Sequence, residues 1–231
     1  MKLAIKALAC GGVLALTRLG LAAAGPIEDA EAAFNQGDYA TAMKILRPFA
    51  ERGDAVAEYD VGVMYDQGFG VPQNQTEAAK WYRRAGDHGL AHAQHNLGTM
   101  YLEGQGVAQD YAEAAKWYRK AADQGDADSQ GELGLLFDRG LGVAQNDGEA
   151  AKWYKKAADQ GVAGAQNNLG IMYVQGRGVG QDYVLAHMWF DLAAGQGVDA
   201  AAKNRDQLAA QMAPDQIAEA QRLVRDWKPT K

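Results

Sequence analysis

Apolar residues recur at helical spacing along most of this chain, in paired segments separated by glycines. In residues 89–124, Ala93, Leu97, Met100 and Tyr101 stand at i, i+4, i+7 and i+8, one stripe of a helix of period 3.6. Gly104 and Gly106 then stop it, because glycine takes positive φ at little steric cost and suits a helix end followed by a sharp reversal. Asp110 comes next with Glu113 three residues on, the pattern of a capping box that starts a second helix at a defined residue. That helix places Ala114, Trp117, Tyr118 and Ala121 at i, i+3, i+4 and i+7. Small and large side chains on one stripe allow two helices to pack closely.

The pattern returns without insertion. Trp81, Trp117, Trp153 and Trp189 stand 36 residues apart, as do Gly62, Gly98, Gly134 and Gly170. Asn74 with Glu77 and Asn146 with Glu149 repeat the capping box, while Asp182 keeps the cap and Leu185 replaces the glutamate. A strict period of this length predicts stacked helix pairs, each burying its apolar face against its neighbours, and hence an all-α solenoid. Gly98, inside a helix, costs about 1 kcal/mol relative to alanine. Its recurrence points to a close helix approach, placed here at the ring of a tryptophan. The ends depart from the pattern. Residues 25–52 form a degenerate unit with Ala30, Ala33 and Phe34, a break at Gly37-Asp38, then Ala42, Ile45, Leu46 and Phe49. Residues 197–231 form a further pair, in which Pro214 opens a helix carrying Ile217, Ala220, Val224 and Trp227 and capping the stack.

Residues 1–24 have a different character: Lys2 and Lys6, an apolar run from Ala7 to Leu21, and Ala22-Ala23-Ala24 before Gly25-Pro26. This order reads as a secretory signal peptide. Arg18 leaves too short an uninterrupted run for the roughly 20 residues of a membrane span. Cys10, the single cysteine, lies within this leader, so the mature chain has no disulfide and no thiol nucleophile. Leu8-Ala9-Cys10-Gly11 resembles an acylation site, but too little apolar sequence precedes the cysteine. The 231 residues are 48% apolar and 23% charged, the composition of a globular chain with material for a core. The formal charge of −6 becomes −9 once the three basic residues of the leader are removed, which disfavours nucleic acid and anionic membranes as partners.

The segment NLGTMYLEGQGVAQDYAEAAKWYRKAADQGD resembles the Sel-one-like repeat (SLR) family, relatives of the tetratricopeptide repeats. Four full units match, residues 53–88, 89–124, 125–160 and 161–196, through LGxxY, GxGV, a capped helix and AAKWYxKAA. The resemblance implies a right-handed α-solenoid serving as adaptor or scaffold in protein complexes. In bacteria it also implies a secreted or envelope protein that meets signalling partners or host proteins. Some small secreted relatives carry a disulfide in each repeat, and nothing of that branch transfers to this chain.

Constellations with chemical potential resolve into structural readings. Gly176-Arg177-Gly178-Val179-Gly180 has a phosphate-cradling look, but a dinucleotide fingerprint needs a preceding strand, and here a helix precedes the loop. His88, His92 and His95 lie at i, i+4 and i+7, yet the next repeat has Gln124, Asp128 and Gly131 there, with no carboxylate or cysteine pattern beside them. They read as surface histidines, and no metal or cofactor is expected. Ser129 is the only serine, and His187, the one histidine beyond the second repeat, replaces an alanine. No nucleophile, base and orienter set assembles, so no enzyme is expected.

The informative positions vary while their neighbours stay fixed. On the first helix of each unit, away from the apolar stripe, lie Tyr59, Asp60, Val63 and Gln67, then His95, Asn96, Thr99 and Glu103. The third unit carries Gly131, Glu132, Leu135 and Arg139 there, and the fourth Asn167, Asn168, Ile171 and Gln175. If first helices line the concave side, these form a groove in which amides and carboxylates bind a peptide and Tyr59, Leu135 and Ile171 anchor it. The sequence thus predicts an exported, non-enzymatic scaffold binding a protein or peptide through its concave surface. The alternative is a carbohydrate or cell-wall binding or processing protein of the envelope, with the tryptophans stacking on sugars. A structural spacer with no ligand is a third. Oligomeric state, partner identity and the choice between periplasmic, extracellular and lipid-anchored forms stay open.

Overall fold

The computed structural model describes residues 25–230; the leader expected over residues 1–24, with Cys10, lies outside the described residues. Twelve helices and no strand occur among the described residues. The chain divides into two compact units, one ending at Leu90 and one beginning at Ala91.

The first unit holds α1 (Pro26–Asn35), α2 (Tyr39–Glu51), α3 (Ala55–Gln67) and α4 (Gln75–Asp87). Each boundary has a local cause. Asp38 accepts from the Thr41 N–H, Asp54 from those of Val56 and Ala57, and Asn74 from that of Glu77, so three helices start on a side-chain oxygen that satisfies first-turn donors. Phe34, Met43, Leu46, Val61, Met64 and Trp81 form its core.

The second unit runs through α5 (Ala91–Glu103), α6 (Tyr111–Asp123), α7 (Ala127–Arg139), α8 (Asp147–Asp159), α9 (Ala163–Gln175), α10 (Tyr183–Gly195), α11 (Asp199–Ala209) and α12 (Pro214–Asp226). Leu133, Leu136, Trp153, Tyr154, Leu169, Met172 and Trp189 are among its buried core. Asp110, Asn146 and Asp182 cap α6, α8 and α10. The glutamate half of the expected capping box is absent. Glu113 and Glu149 turn forward to accept the indole N–H of Trp117 and Trp153, each at 3.2 Å, and pair with Lys116 and Lys152. The indole N–H four residues on competes with the helix N-terminus for the carboxylate.

Two glycines of each repeat set the packing. The helix-interior glycine meets a tyrosine, not the neighbouring tryptophan: a Cβ on Gly98 would lie 2.8 Å from the Tyr118 ring, and one on Gly134 2.7 Å from that of Tyr154. The second loop glycine, with φ of 68° at both Gly142 and Gly178, presses on backbone of the preceding repeat, at Tyr111 and Asp147. Between these contacts the loop is fastened by a glutamine whose amide donates to a carbonyl seven residues back, Gln109 to Leu102 at 2.7 Å and Gln181 to Val174 at 2.8 Å. The last helix, α12, packs against α10. Trp227 meets Trp189 edge-on at 6.4 Å, and the Thr230 N–H donates to the Asp159 carbonyl.

Candidate functional site

Side chains at two heights of the first helices decide which surface is open. At the level that faces the second helix of the same repeat, the chain builds a ladder of paired glutamines. Gln124 donates to Gln94 at 2.7 Å, Gln160 to Gln130 at 2.8 Å, and Gln196 to Gln166 at 2.9 Å. In the first unit the equivalent rung is ionic. Glu58 is fully buried, its Oε1 2.9 Å from Arg84 Nη2 and its Oε2 2.7 Å from His88 Nδ1, while Arg84 also donates to the Ala50 carbonyl at 2.8 Å. This side is therefore closed by hydrogen bonds and ion pairs.

The three histidines separate. His88 serves Glu58, His92 is exposed and 3.8 Å from Asp126, and His95 is partly buried. The structure brings Asp126, His95 and Ser129 together, a grouping the sequence reading missed because its members lie on two helices. His95 Nδ1 is 2.9 Å from Ser129 Oγ and 3.6 Å from Asp126 Oδ1. A catalytic relay uses one ring nitrogen for the hydroxyl and the other for the carboxylate. Here both partners share Nδ1, Ser129 is buried, and its own N–H is held by Asp126, so the trio is a helix-start network. Arg177, in the loop that looked like a phosphate cradle, instead bridges Asp138 at 2.7 Å and Asp147 at 3.1 Å. No group of three or more His, Cys, Asp or Glu arranged for a metal ion occurs among the described residues. His187 is buried with Nδ1 unpartnered, and burial pushes its pKa down, keeping the ring neutral.

The variable positions lie further along the first helices, and several of them reach the second helix of their own repeat. In the first unit Tyr59 packs 5.7 Å from the Tyr82 ring, Val63 is half-buried, and Gln67 is exposed. Asp60 departs from an open face: it is fully buried, neither carboxylate oxygen has a hydrogen-bond partner, and burial, then Asp54 and Glu31, push its pKa up to about 7. In the second unit the rim residues Glu103, Arg139 and Gln175 are exposed, while Asn96, Glu132, Leu135, Asn167, Asn168 and Ile171 are half-buried. Asn204 on α11 donates to Asn167 at 3.0 Å, tying the last first-helix position to its neighbour. Thr99 donates to the His95 carbonyl and meets the Tyr118 hydroxyl at 2.9 Å.

These half-buried residues carry mixed polar and apolar chemistry. Burial raises the pKa of Glu132, helped by Asp128 and Glu103 and opposed by Arg139. It likewise raises those of Tyr118 and Tyr154, whose hydroxyls stay protonated. The second helices present a different surface. Trp81, Trp117, Trp153 and Trp189 are at most 8% exposed, so no indole face is free to stack on a sugar. Lys120 and Lys156 cover the Trp117 and Trp153 rings at 3.8 and 4.1 Å from the centroids. A depression of about 370 Å³ lies beside the glutamine ladder, lined by Gln124, Gln130, Lys156, Gln160 and Thr230 among others.

Helix pairs in tandem, joined by a hydrogen-bonded glutamine ladder, define a helical-repeat solenoid, a class whose members work by surface recognition. The Sel1 repeat family model matches residues 55–90, 91–126, 127–162 and 163–198, and the chain belongs to this family. Among solved structures, it is similar to a protective antigen of uropathogenic Escherichia coli that displays an SLR fold, with 35% identity over 84% of this chain and a TM-score of 0.75. The chain spans only 44% of that antigen. It is also similar to a Sel1 repeat protein from Oxalobacter formigenes, with 30% identity, 85% of this chain and 84% of that one covered, and a TM-score of 0.73. No curated protein matches the chain. Sel1 repeat proteins are generally protein-interaction scaffolds. Among the described residues no helix is long and apolar enough to cross a membrane.

Proposed function

We propose that this chain is an exported, non-enzymatic scaffold that holds a segment of a partner protein on the first-helix face of its second unit. The observation that carries the reading is the contrast between two sets of positions on the repeats. Asn96, Leu135 and Ile171 offer a half-buried amide and apolar side chains, with the Asn168 amide beside Asn167, whereas the glutamine ladder has its polar groups already paired. Such amides suit the backbone of a bound peptide, and the aliphatic residues suit its side chains. Export rests on the leader sequence at residues 1–24.

Affinity capture from envelope extract and culture medium tests this reading. The wild-type chain is expected to retain a protein, identified by mass spectrometry, that a doubly substituted Asn96→Ala, Asn168→Ala chain releases. Equal retention by both chains overturns the assignment of the face. Residues 1–24 are expected to be missing from the protein recovered outside the cytoplasm, and an intact N-terminus in the cytoplasmic fraction overturns export.

A further inference from the structure

The chain docks an extended segment of itself on one of its own repeat loops. After α12, Trp227 takes φ −68° and ψ 139°, the polyproline II region, and Pro229 restricts Lys228 before it to extended backbone. This segment crosses the loop between α8 and α9. A Cβ on Gly161 would lie 3.8 Å from the Trp227 ring and 4.0 Å from Pro229 Cβ, and the Thr230 N–H donates to the Asp159 carbonyl at 2.8 Å. The Trp227 ring also meets Trp189 edge-on at 6.4 Å. One aromatic ring, one proline and one main-chain donor thus hold the strand on the loop.

The receptor for this strand is present twice. Residues 156–161 read Lys-Ala-Ala-Asp-Gln-Gly, and residues 120–125, one repeat earlier, read the same. Gly125 has φ of 97° and Gly161 of 95°, so the two loops turn alike. Asp159, Gln160 and Gly161 are half-buried, with the tail over them, whereas Asp123, Gln124 and Gly125 are exposed. Nothing lies within 4 Å of a Cβ placed on Gly125, and no backbone donor reaches the Asp123 carbonyl among the described residues. The depression of about 370 Å³ joins the two loops, since its lining runs from Thr230, Asp159 and Gln160 to Gln124 and Gly125. The indole beside the earlier loop differs in one respect. Lys156 covers the Trp153 ring at 4.1 Å from its centroid, while Leu192 holds the same position after Trp189. An aromatic side chain arriving at the earlier loop therefore meets an ammonium group, an attractive partner for a ring face.

We infer that the 120–125 loop and the depression beside it dock an extended partner segment of the form aromatic-x-Pro-x, in the way the 156–161 loop docks residues 227–230. This site goes beyond the first-helix face and does not depend on it. Proline suits the segment because its fixed φ leaves little backbone freedom to lose on binding. The Asp123 carbonyl requires a main-chain N–H on the residue after that proline, and the ring meets Lys156 and the edge of the loop.

The test titrates acetyl-Asp-Trp-Lys-Pro-Thr-amide, the sequence of residues 226–230, into the ¹⁵N-labelled protein. Saturable amide shifts are expected at residues 122–126. N-methylation of the peptide threonine removes the donor for the Asp123 carbonyl and is expected to weaken binding about tenfold. Lys156→Glu is expected to weaken it severalfold. Trp227→Ala loosens the chain's own tail and is expected to add a second set of saturable shifts at residues 158–162. Shifts confined to residues 158–162 in the wild type, equal binding of the N-methyl peptide, or no saturable shift overturns the site. Shifts at residues 96, 135 and 168 in place of 122–126 put the peptide on the first-helix face and also overturn it. A captured protein lost on Asn96→Ala, Asn168→Ala, with no peptide shift at 122–126, overturns the loop site alone and leaves the first-helix face standing.

Discussion

Gly98 lies so close to Tyr118 that a methyl group on its Cα would sit 2.8 Å from ring carbon Cδ1, inside any normal contact distance. The same relation holds for Gly62 with Tyr82, Gly134 with Tyr154 and Gly170 with Phe190. Alanine raises helix propensity by about 1 kcal/mol, but overpacking a filled core costs typically about 1–3 kcal/mol, and here the obstacle is a buried ring with little room to turn. Gly98→Ala is therefore expected to lower stability in urea denaturation. An increase would mean that the ring yields freely and that the glycine has another purpose.

Asp60 gives the first unit a pH dependence of unusual sign. Its carboxyl is raised from 3.8 to about 7 in the folded state by burial and by Asp54 and Glu31. A raised acid contributes stability that is fully present below the unfolded value and lost as pH rises through the folded one, so wild-type stability falls between about pH 4 and pH 7 on this account. The gap sets a ceiling of about 4 kcal/mol at pH 8. Asp60→Asn is expected to flatten the profile, with its gain over wild type appearing at pH 8 and absent at pH 4. A gain that is the same at both values would show that Asp60 is not protonated on folding.

The ionic rung of the first unit is expected to be exchangeable for the amide rung of the others. Glu58→Gln alone removes the buried charge facing Arg84 and His88 and is expected to cost about 1–3 kcal/mol, the penalty of a buried group losing its partner. Adding His88→Gln recreates the pair seen in Gln94 and Gln124, and is expected to restore most of the loss in a double-mutant cycle. Simple additivity of the two changes would show that the two side chains are not coupled.

Tryptophan emission separates core from sugar-binding roles directly. With Trp117 and Trp153 at 2% exposure and lysines over their rings, emission is expected to be blue and poorly quenched by acrylamide, and unaffected by glycans. A red emission that shifts with glycans would revive the carbohydrate reading.

The repeated helices and their N-caps were legible in the sequence because their signals are local: a stripe of period 3.6, Asp110 or Asn146 before it, glycines after it. What escaped lies in pairs brought together by stacking. Glu58 and His88 are thirty residues apart, and His95 and Ser129 thirty-four, so neither partner announces the other. The packing partner of Gly98 was read as a tryptophan because Trp117 is the larger neighbour, but Tyr118 is the residue turned toward the first helix. Glu113 and Glu149 kept the spacing of a capping box while serving the indoles instead. The candidate face was identified from residue variation, yet the sequence could not show that Asp60 is covered while Glu132, at the equivalent position, is partly open.

The claim that the first-helix face of the second unit holds a protein partner is tested most directly by site-specific photocrosslinking in cells. A benzophenone amino acid is placed in turn at the exposed rim positions Glu103, Arg139 and Gln175, and at Lys116 and Lys152 on the second helices. The account predicts one recurrent protein adduct from the rim positions and none from the second-helix positions. Adducts confined to Lys116 and Lys152 would contradict it.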